Sequence, residues 1–138
     1  MKVFYNSWLA KKVLAARCNR VMLFGFCFTK EDYLTPEEIN HEKIHVRQWI
    51  ECMIIGILIC LLCLVSGFSW WFLFFILILY YILYGIGFLV RLIVSHNAEI
   101  AYKNISFEKE AYRNEDNLLY LKYKNVLTFL KYIFMCLD

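Results

Sequence analysis

The chain has 138 residues, of which 62% are hydrophobic and 20% are charged, and its net charge is +3. This length predicts one domain, and the apolar fraction is well above the roughly 45–50% of soluble globular domains. A soluble protein this small cannot bury so much apolar surface, so we expect a membrane protein whose first partner is the lipid bilayer. The basic residues form no clustered stripe, which excludes a nucleic-acid partner.

The segment 1–34 is predicted to contain a short β element. Its first part, 1–16, is ambiguous between a helix and a strand. The run 21–29 is apolar, rich in β-branched and aromatic residues and too short to span a membrane, so it is predicted as a strand. Gly25 inside this run predicts a bulge or a close backbone approach. The alternative is a segment that lies on the lipid surface.

Residues 41–45 read His-Glu-x-x-His. Residues four apart lie on one face of a helix, so His41 and His45 can point at the same spot. Two imidazole nitrogens at that spacing suit two corners of a tetrahedral Zn²⁺ site, and Glu42 stands beside it, where a general base for water belongs. The alternative is an exposed pair of histidines that binds no metal.

The residues before this motif predict where its helix begins. Thr35 is a suitable N-cap, Pro36 suits the first helical position, and Glu38 completes a capping box with Thr35. We therefore predict one helix over 35–65, which carries the motif and continues into the membrane as a first pass. Glu51 then lies near the headgroups or is tucked against protein.

Residues 52–90 contain no Asp, Glu, Lys, Arg or His. This run is long enough for two membrane passes of about 20 residues each. The turn between them is predicted at 66–69, with Trp70 and Trp71 as an interfacial anchor, and the second pass is predicted at 70–91.

The second pass carries three tyrosines near its middle, followed by Gly85 and Gly87. Small residues allow helices to approach closely and buried tyrosines need partners. This face is therefore predicted to pack on the first pass or on a second copy of the chain, which would make a homo-oligomer. The tyrosines are Tyr80, Tyr81 and Tyr84.

Every lysine and arginine lies either before residue 48 or from Arg91 onward. By the positive-inside rule, both termini and the motif are predicted to face the cytoplasm, in an inner or plasma membrane.

The segment 95–138 then returns to the face that carries the motif and can supply the third ligand that a catalytic zinc needs. A helix is predicted over 107–123 and an interfacial segment over 126–137. The candidate third ligands are His96, Glu99, Glu108 and Glu110.

Glu108 and Glu110 cannot both be ligands. Two positions along a helix point about 200° apart, so only one of these carboxylates can face the metal. Glu108 shares a helix face with Tyr112 and Glu115, and a ligand should share a face with the residue that supports it, which favours Glu108. Loss of the Glu110 side chain is therefore predicted to change zinc binding and activity little.

The motif at 41–45, with Phe107-Glu108-Lys109-Glu110-Ala111-Tyr112 downstream, resembles the gluzincins that lie in membranes. These include CAAX-type prenyl-protein endopeptidases, heat-shock membrane proteases and the peptidase domains of β-lactam sensors. In that clan the third ligand is a glutamate on a second helix, and an acidic residue four places later orients the site. The resemblance implies Glu108 as the third zinc ligand, and Tyr112 stands where the acidic residue is expected. Most of the chain also resembles a group of small bacterial membrane proteins that have no known activity.

Together these observations predict a mainly α, integral-membrane fold over a single minimal metallopeptidase-like domain, 1–138. A two-helix transmembrane hairpin has the motif helix at its cytoplasmic end, with a short N-terminal β element and a C-terminal helix that carries the third ligand. The predicted function is a zinc-dependent endopeptidase that cuts a membrane-proximal peptide bond, with the substrate held along the edge of the strand at 21–29. The predicted zinc ligands are His41, His45 and Glu108, with Glu42 as general base and Tyr112, or else Tyr102 or His96, at the oxyanion. The alternatives are an inactive zinc-binding membrane module and a structural membrane hairpin that serves as a partner subunit.

Overall fold

The computed structural model describes residues 1–14, 19–65, 67 and 73–133. Within these residues the chain is mainly helical, with a small three-stranded sheet and two long apolar helices. The elements in chain order are β1 (Lys2–Phe4), α1 (Trp8–Val13), β2 (Arg20–Leu23), β3 (Phe26–Thr29), α2 (Pro36–Val65), α3 (Leu73–Ser95), α4 (Ala98–Lys103), α5 (Ser106–Asn114), α6 (Tyr120–Tyr123) and a 3₁₀ helix (Thr128–Tyr132). The predicted turn at 66–69, apart from Gly67, and the Trp70–Trp71 anchor lie outside the described residues.

The predicted capping box starts α2. The backbone N–H of Thr35 donates to Glu38 Oε2 at 2.8 Å, and the backbone N–H of Glu38 donates to Thr35 Oγ1 at 3.2 Å. Two of the N–H groups that a helix start leaves unpaired are thereby satisfied. Pro36 is the first helical residue, and the helix continues without a break to Val65, as the sequence predicts.

Helices α2 and α3 are both long and apolar enough to cross a membrane. Only 28% of the apolar window in α2 and 6% of that in α3 is buried within the protein. The core helix of a soluble protein would be mostly covered, whereas these two present apolar side chains outward. On α2 the large exposed apolar side chains run from Ile50 to Val65, and on α3 they run from Phe74 to Val94.

The two helices are in close contact at Gly56 of α2. A Cβ built on Gly56 would lie 3.3 Å from the Cα of Ile76 in α3. The glycines singled out from the sequence have other surroundings: a Cβ on Gly87 would meet Ile105 at 3.4 Å, and one on Gly85 would meet nothing within 4 Å. Gly87 therefore makes room for the segment before α5, and the helix crossing depends on Gly56.

The run 21–29 is a hairpin, so the prediction of a single strand was wrong. Strands β2 and β3 pair antiparallel, and β1 pairs parallel with the other edge of β3, which gives the order β1-β3-β2. The two turn residues, Phe24 at φ 50° and Gly25 at φ 83°, are both left-handed, as a tight two-residue hairpin requires. Phe24 adopts this unfavourable conformation because Trp49 and Tyr81 pack on its ring and the Tyr81 hydroxyl accepts its N–H at 2.6 Å.

The predicted helix over 107–123 is shorter in the structure, because α5 ends at Asn114. The side-chain amide of Asn40, on α2, lies within hydrogen-bonding distance of three carbonyls of the turn that follows α5. These belong to Asn114, Glu115 and Asn117, at 3.2, 2.8 and 3.1 Å. These contacts hold the turn that follows α5 against α2 and place Glu115 beside that helix.

The described residues after α6 pack on α5 and α2. They include the first part of the segment that the sequence predicts in the membrane interface, and residues 134–137 of that prediction lie outside the described residues. The ring of Phe129, in the 3₁₀ helix, lies 4.4 Å from that of Phe107, and both side chains are buried. Lys124 reaches Glu51 Oε1 at 2.8 Å, so Glu51 is tucked against protein, one of its two predicted positions.

Candidate metal centre

Three buried side chains from two helices converge at one point. His41 and His45 lie one turn apart on α2, and Glu108 lies in the first turn of α5. Each side chain is at most 7% exposed, and one ligand atom from each residue lies within 4.8 Å of the other two. The structure therefore brings together the predicted histidine pair and the third ligand implied by the resemblance.

The separations between the donor atoms fit a tetrahedral metal site. Nε2 of His41 lies 3.0 Å from Nε2 of His45 and 3.4 Å from Glu108 Oε2, and Nε2 of His45 lies 3.2 Å from Glu108 Oε1. With zinc bonds of 2.0–2.1 Å, neighbouring ligand atoms of a tetrahedron lie roughly 3.3 Å apart. The cluster needs little rearrangement to hold such an ion.

One carboxylate oxygen of Glu108 lacks a hydrogen-bond partner among the described residues. Oε1 accepts the hydroxyl of Tyr84 at 2.6 Å, whereas Oε2 is buried and accepts no hydrogen bond from the described residues. An unsatisfied buried carboxylate oxygen is costly, and its neighbour here is an imidazole nitrogen that also needs a partner. A cation between them satisfies both, so the residues present fit a metal ion.

Glu108 is ionised in this setting. Burial by itself raises the pKa of a carboxyl group, but the nearby imidazoles of His45 and His41 outweigh it and hold the pKa of Glu108 below its usual range. The carboxylate is thus ready to act as an anionic ligand.

The other ring nitrogen of each histidine, Nδ1, has a hydrogen-bond partner. Glu115 Oε2 lies 2.7 Å from Nδ1 of His41, and Gln48 Oε1 lies 2.9 Å from Nδ1 of His45. Carboxylate and carbonyl oxygens in this position accept the Nδ1 proton and leave Nε2 free for a metal. The sequence places Glu115 on the same face as Glu108, but it gives no sign of Gln48, whose only signal is its position one turn after His45.

Glu42 lies beside this cluster and is not part of it. Its side chain is 6% exposed, and Oε1 lies 3.8 Å from Nε of Arg20 on β2. A cavity of about 220 Å³ is lined by Glu42, His45 and Glu108. Its lining also includes residues of β2 and four tyrosines: Val21, Met22, Leu23, Tyr80, Tyr81, Tyr84 and Tyr102. Of these tyrosines, the sequence analysis assigned only Tyr102 to the site.

Comparison of the chain with protein-family models, with curated proteins and with solved structures finds no match. The arguments about this site therefore rest on the residues of this chain.

The other candidate ligands are directed elsewhere. Glu110 is buried but bonds to Gln48 and Tyr120, so it faces away from the histidines, as the helix geometry predicts. Glu99 is exposed on α4 and pairs with Lys103. His96, just past α3, is exposed and lies outside both the metal cluster and the lining of the cavity.

Tyr112 contacts a histidine of the cluster, whereas Tyr102 lines the cavity. The ring of Tyr112 stacks edge-on against that of His41, with centroids 4.7 Å apart. Burial and the charges of Glu108 and Glu115 raise the pKa of Tyr112 to about 12, so its hydroxyl keeps its proton at neutral pH. Tyr102 lines the cavity, and burial together with the charge of Glu108 raises its pKa as well.

Proposed function

We propose that this protein is a zinc-dependent, membrane-embedded endopeptidase that hydrolyses a membrane-proximal peptide bond. The observation that carries the proposal is the buried cluster of His41, His45 and Glu108, with both Nδ1 atoms held and Glu108 Oε2 unsatisfied. A histidine pair with one carboxylate is a ligand set typical of catalytic zinc, which keeps a fourth position open. A zinc ion held there would supply Lewis-acid activation of water and of a peptide carbonyl.

Glu42 is the proposed general base. Its carboxylate faces the same cavity as His45 and Glu108, where an attacking water would lie. It takes one proton from that water as the oxygen bonds to the carbonyl carbon, and it passes the proton to the amine as the C–N bond breaks. Arg20 fixes its position, since the Arg20 guanidinium also pairs with Glu38 one turn earlier on α2.

Strand β2 is the proposed binding site of the substrate peptide. It is an edge strand, because β3 pairs with only one side of it and no other described strand pairs with the second side. Its residues line the same cavity as Glu42, so a peptide added to this edge would lie across the cluster. Backbone hydrogen bonds would then hold an extended segment with little demand on its sequence.

The direction of β2 supports a membrane-proximal substrate. Arg20, at one end, contacts Glu38 in the first turn of α2. The hairpin tip at Phe24 packs on Trp49, next to Ile50, where the outward apolar face of α2 begins. A peptide along β2 would thus run from the polar end of α2 toward the proposed bilayer.

The proposed location is an inner or plasma membrane, with α2 and α3 spanning it and the metal centre on the cytoplasmic side. The test replaces the native cysteines with alanine and adds Lys43→Cys or Gly67→Cys, both at exposed positions. A membrane-impermeant thiol reagent is expected to label Lys43→Cys only from the cytoplasmic side and Gly67→Cys only from outside. The reverse pattern would overturn the orientation.

Hydrolysis is tested with the purified, zinc-loaded protein in liposomes and a random decapeptide library read by mass spectrometry. The wild type is expected to produce new peptide termini, and Glu42→Gln is expected to keep its zinc but produce none. Glu37→Gln, at an exposed glutamate of the same helix, is the matched control and should cleave like wild type. A zinc-loaded wild type that leaves the library intact would favour the inactive zinc-binding module.

A further inference from the structure

Behind His45, away from the cavity, lies a continuous group of buried polar side chains. It begins with Gln48, continues to Glu110 and Tyr120, and ends at Lys124 and Glu51. The side chains of Glu110 and Lys124 are both 0% exposed, and that of Glu51 is 2% exposed. Such a network is favourable only when its members are satisfied, so its bonding pattern is strongly constrained.

The bonding pattern fixes which way the Gln48 amide points. Its Nε2 donates to the backbone carbonyl of Phe107 and to Glu110 Oε2, both at 3.0 Å. These two acceptors use both N–H bonds of the amide, so the amide oxygen must face the other way. That oxygen is the atom 2.9 Å from Nδ1 of His45.

Glu110 presents an acceptor to Gln48. Its Oε1 accepts the Tyr120 hydroxyl at 2.9 Å and lies 3.2 Å from Lys124 Nζ, and its Oε2 accepts from the Gln48 amide. The hydroxyl of Tyr80 also lies 3.3 Å from Nδ1 of His45, but a hydroxyl can donate or accept and so imposes no tautomer. Gln48 is the contact that fixes the tautomer of His45.

We propose that Gln48 and Glu110 are positioning residues of the metal centre. Glu110 orients the Gln48 amide, the amide oxygen accepts the Nδ1 proton of His45, and the Nε2 lone pair of His45 is thereby kept for the metal. The inference rests on the proposed metal site. It also changes the expectation for Glu110, which the sequence alone predicts to be dispensable for zinc binding.

The test is Glu110→Gln, a change that keeps the shape of the side chain but leaves one oxygen where there were two. The ammonium group of Lys124 can only donate hydrogen bonds, so it keeps the remaining oxygen as its acceptor. The new amide nitrogen therefore faces Gln48. The Gln48 amide then faces a donor at position 110 and an acceptor, the Phe107 carbonyl, on the same side, so no orientation satisfies both. Its oxygen is no longer held toward Nδ1 of His45, and the tautomer with a proton on Nε2 becomes accessible. Zinc affinity, measured by competition with a chromophoric chelator, is expected to fall 10- to 100-fold.

Glu51→Gln is the matched control. Glu51 binds the same lysine and is also buried, but its hydrogen bonds come from Lys124, Arg47 and the backbone N–H of Leu127. This variant is expected to melt at a lower temperature and to keep the zinc affinity of the wild type. If its affinity falls as much as that of Glu110→Gln, the effect is general damage to the buried network and the positioning role is wrong.

The visible spectrum of the Co²⁺ form of Glu110→Gln is expected to differ from that of the wild type, because the tautomer of His45 is no longer fixed. Wild-type zinc affinity together with an unchanged Co²⁺ spectrum in Glu110→Gln would overturn the inference. A wild type that binds neither Zn²⁺ nor Co²⁺ is a different result, because it removes the proposed metal site itself and the positioning role with it.

Discussion

Oε2 of Glu115 lies 2.7 Å from Nδ1 of His41, so a residue just past the end of α5 supports a histidine on α2. The gluzincin resemblance leads us to expect an acidic residue four places after Glu108, where this chain has Tyr112. Glu115 supplies the carboxylate from the next turn instead. It can do so because Asn40 binds the carbonyls around residue 115 and holds the turn against α2.

Glu115→Gln is expected to weaken zinc binding 10- to 100-fold, since an outer carboxylate fixes the tautomer and orientation of the ligand it contacts. The measurement is a zinc competition titration. Asp116→Asn, at the exposed neighbouring position, is the control and should leave the affinity unchanged. Equal affinities in both variants would show that His41 needs no support from Glu115.

Tyr112→Phe is expected to bind zinc normally and to turn over about 10²-fold more slowly, provided that its hydroxyl donates to the oxyanion. The hydroxyl keeps its proton at neutral pH because the pKa of Tyr112 is raised to about 12. The comparison is kcat for Tyr112→Phe, for Tyr102→Phe in the cavity and for Tyr33→Phe at an exposed site. A slow Tyr102→Phe beside a normal Tyr112→Phe would assign the donor to Tyr102.

Gly56→Val is expected to destabilise the protein by about 1–3 kcal/mol, the usual cost of overpacking. The new side chain would press on the backbone of Ile76 and force α2 and α3 apart. Gly85→Val is the matched control, because a Cβ on Gly85 meets nothing within 4 Å. Thermal unfolding in detergent is the measurement, and equal melting temperatures for the two variants would contradict the assigned helix crossing.

The sequence predicts most of the helical framework because the signals for it come from residues that are close together in the chain. The capping box at Thr35 and Glu38 specifies the start of α2, and the charge-free run specifies two apolar helices. The spacing of His41 and His45 needs only helical periodicity to become one face of a site. Glu108 required more, because helix geometry favours it only over Glu110 and the resemblance was needed to choose it among the other candidates. The structure then placed it against both histidines.

Features that depend on contacts between distant parts of the chain were missed. Phe24 enters a left-handed turn only because residues of α2 and α3 pack against it, so the hairpin was predicted as a single strand. The turn that ends α5 is bound by the Asn40 amide, which lies far away in the sequence. Gln48 and Tyr84 carry no motif at all, and their roles become visible only when their hydrogen-bond partners are known.

The central claim is that His41, His45 and Glu108 bind one zinc ion, and the direct test is the metal content of the purified protein. Mass spectrometry of the wild type should give about one zinc per chain, since three protein ligands and one open position make one site. His41→Ala, His45→Ala and Glu108→Ala should each lose the zinc, while Glu99→Ala, at an exposed carboxylate, should retain it. A wild type without zinc, or variants of all three ligands that keep the wild-type amount, would contradict the account.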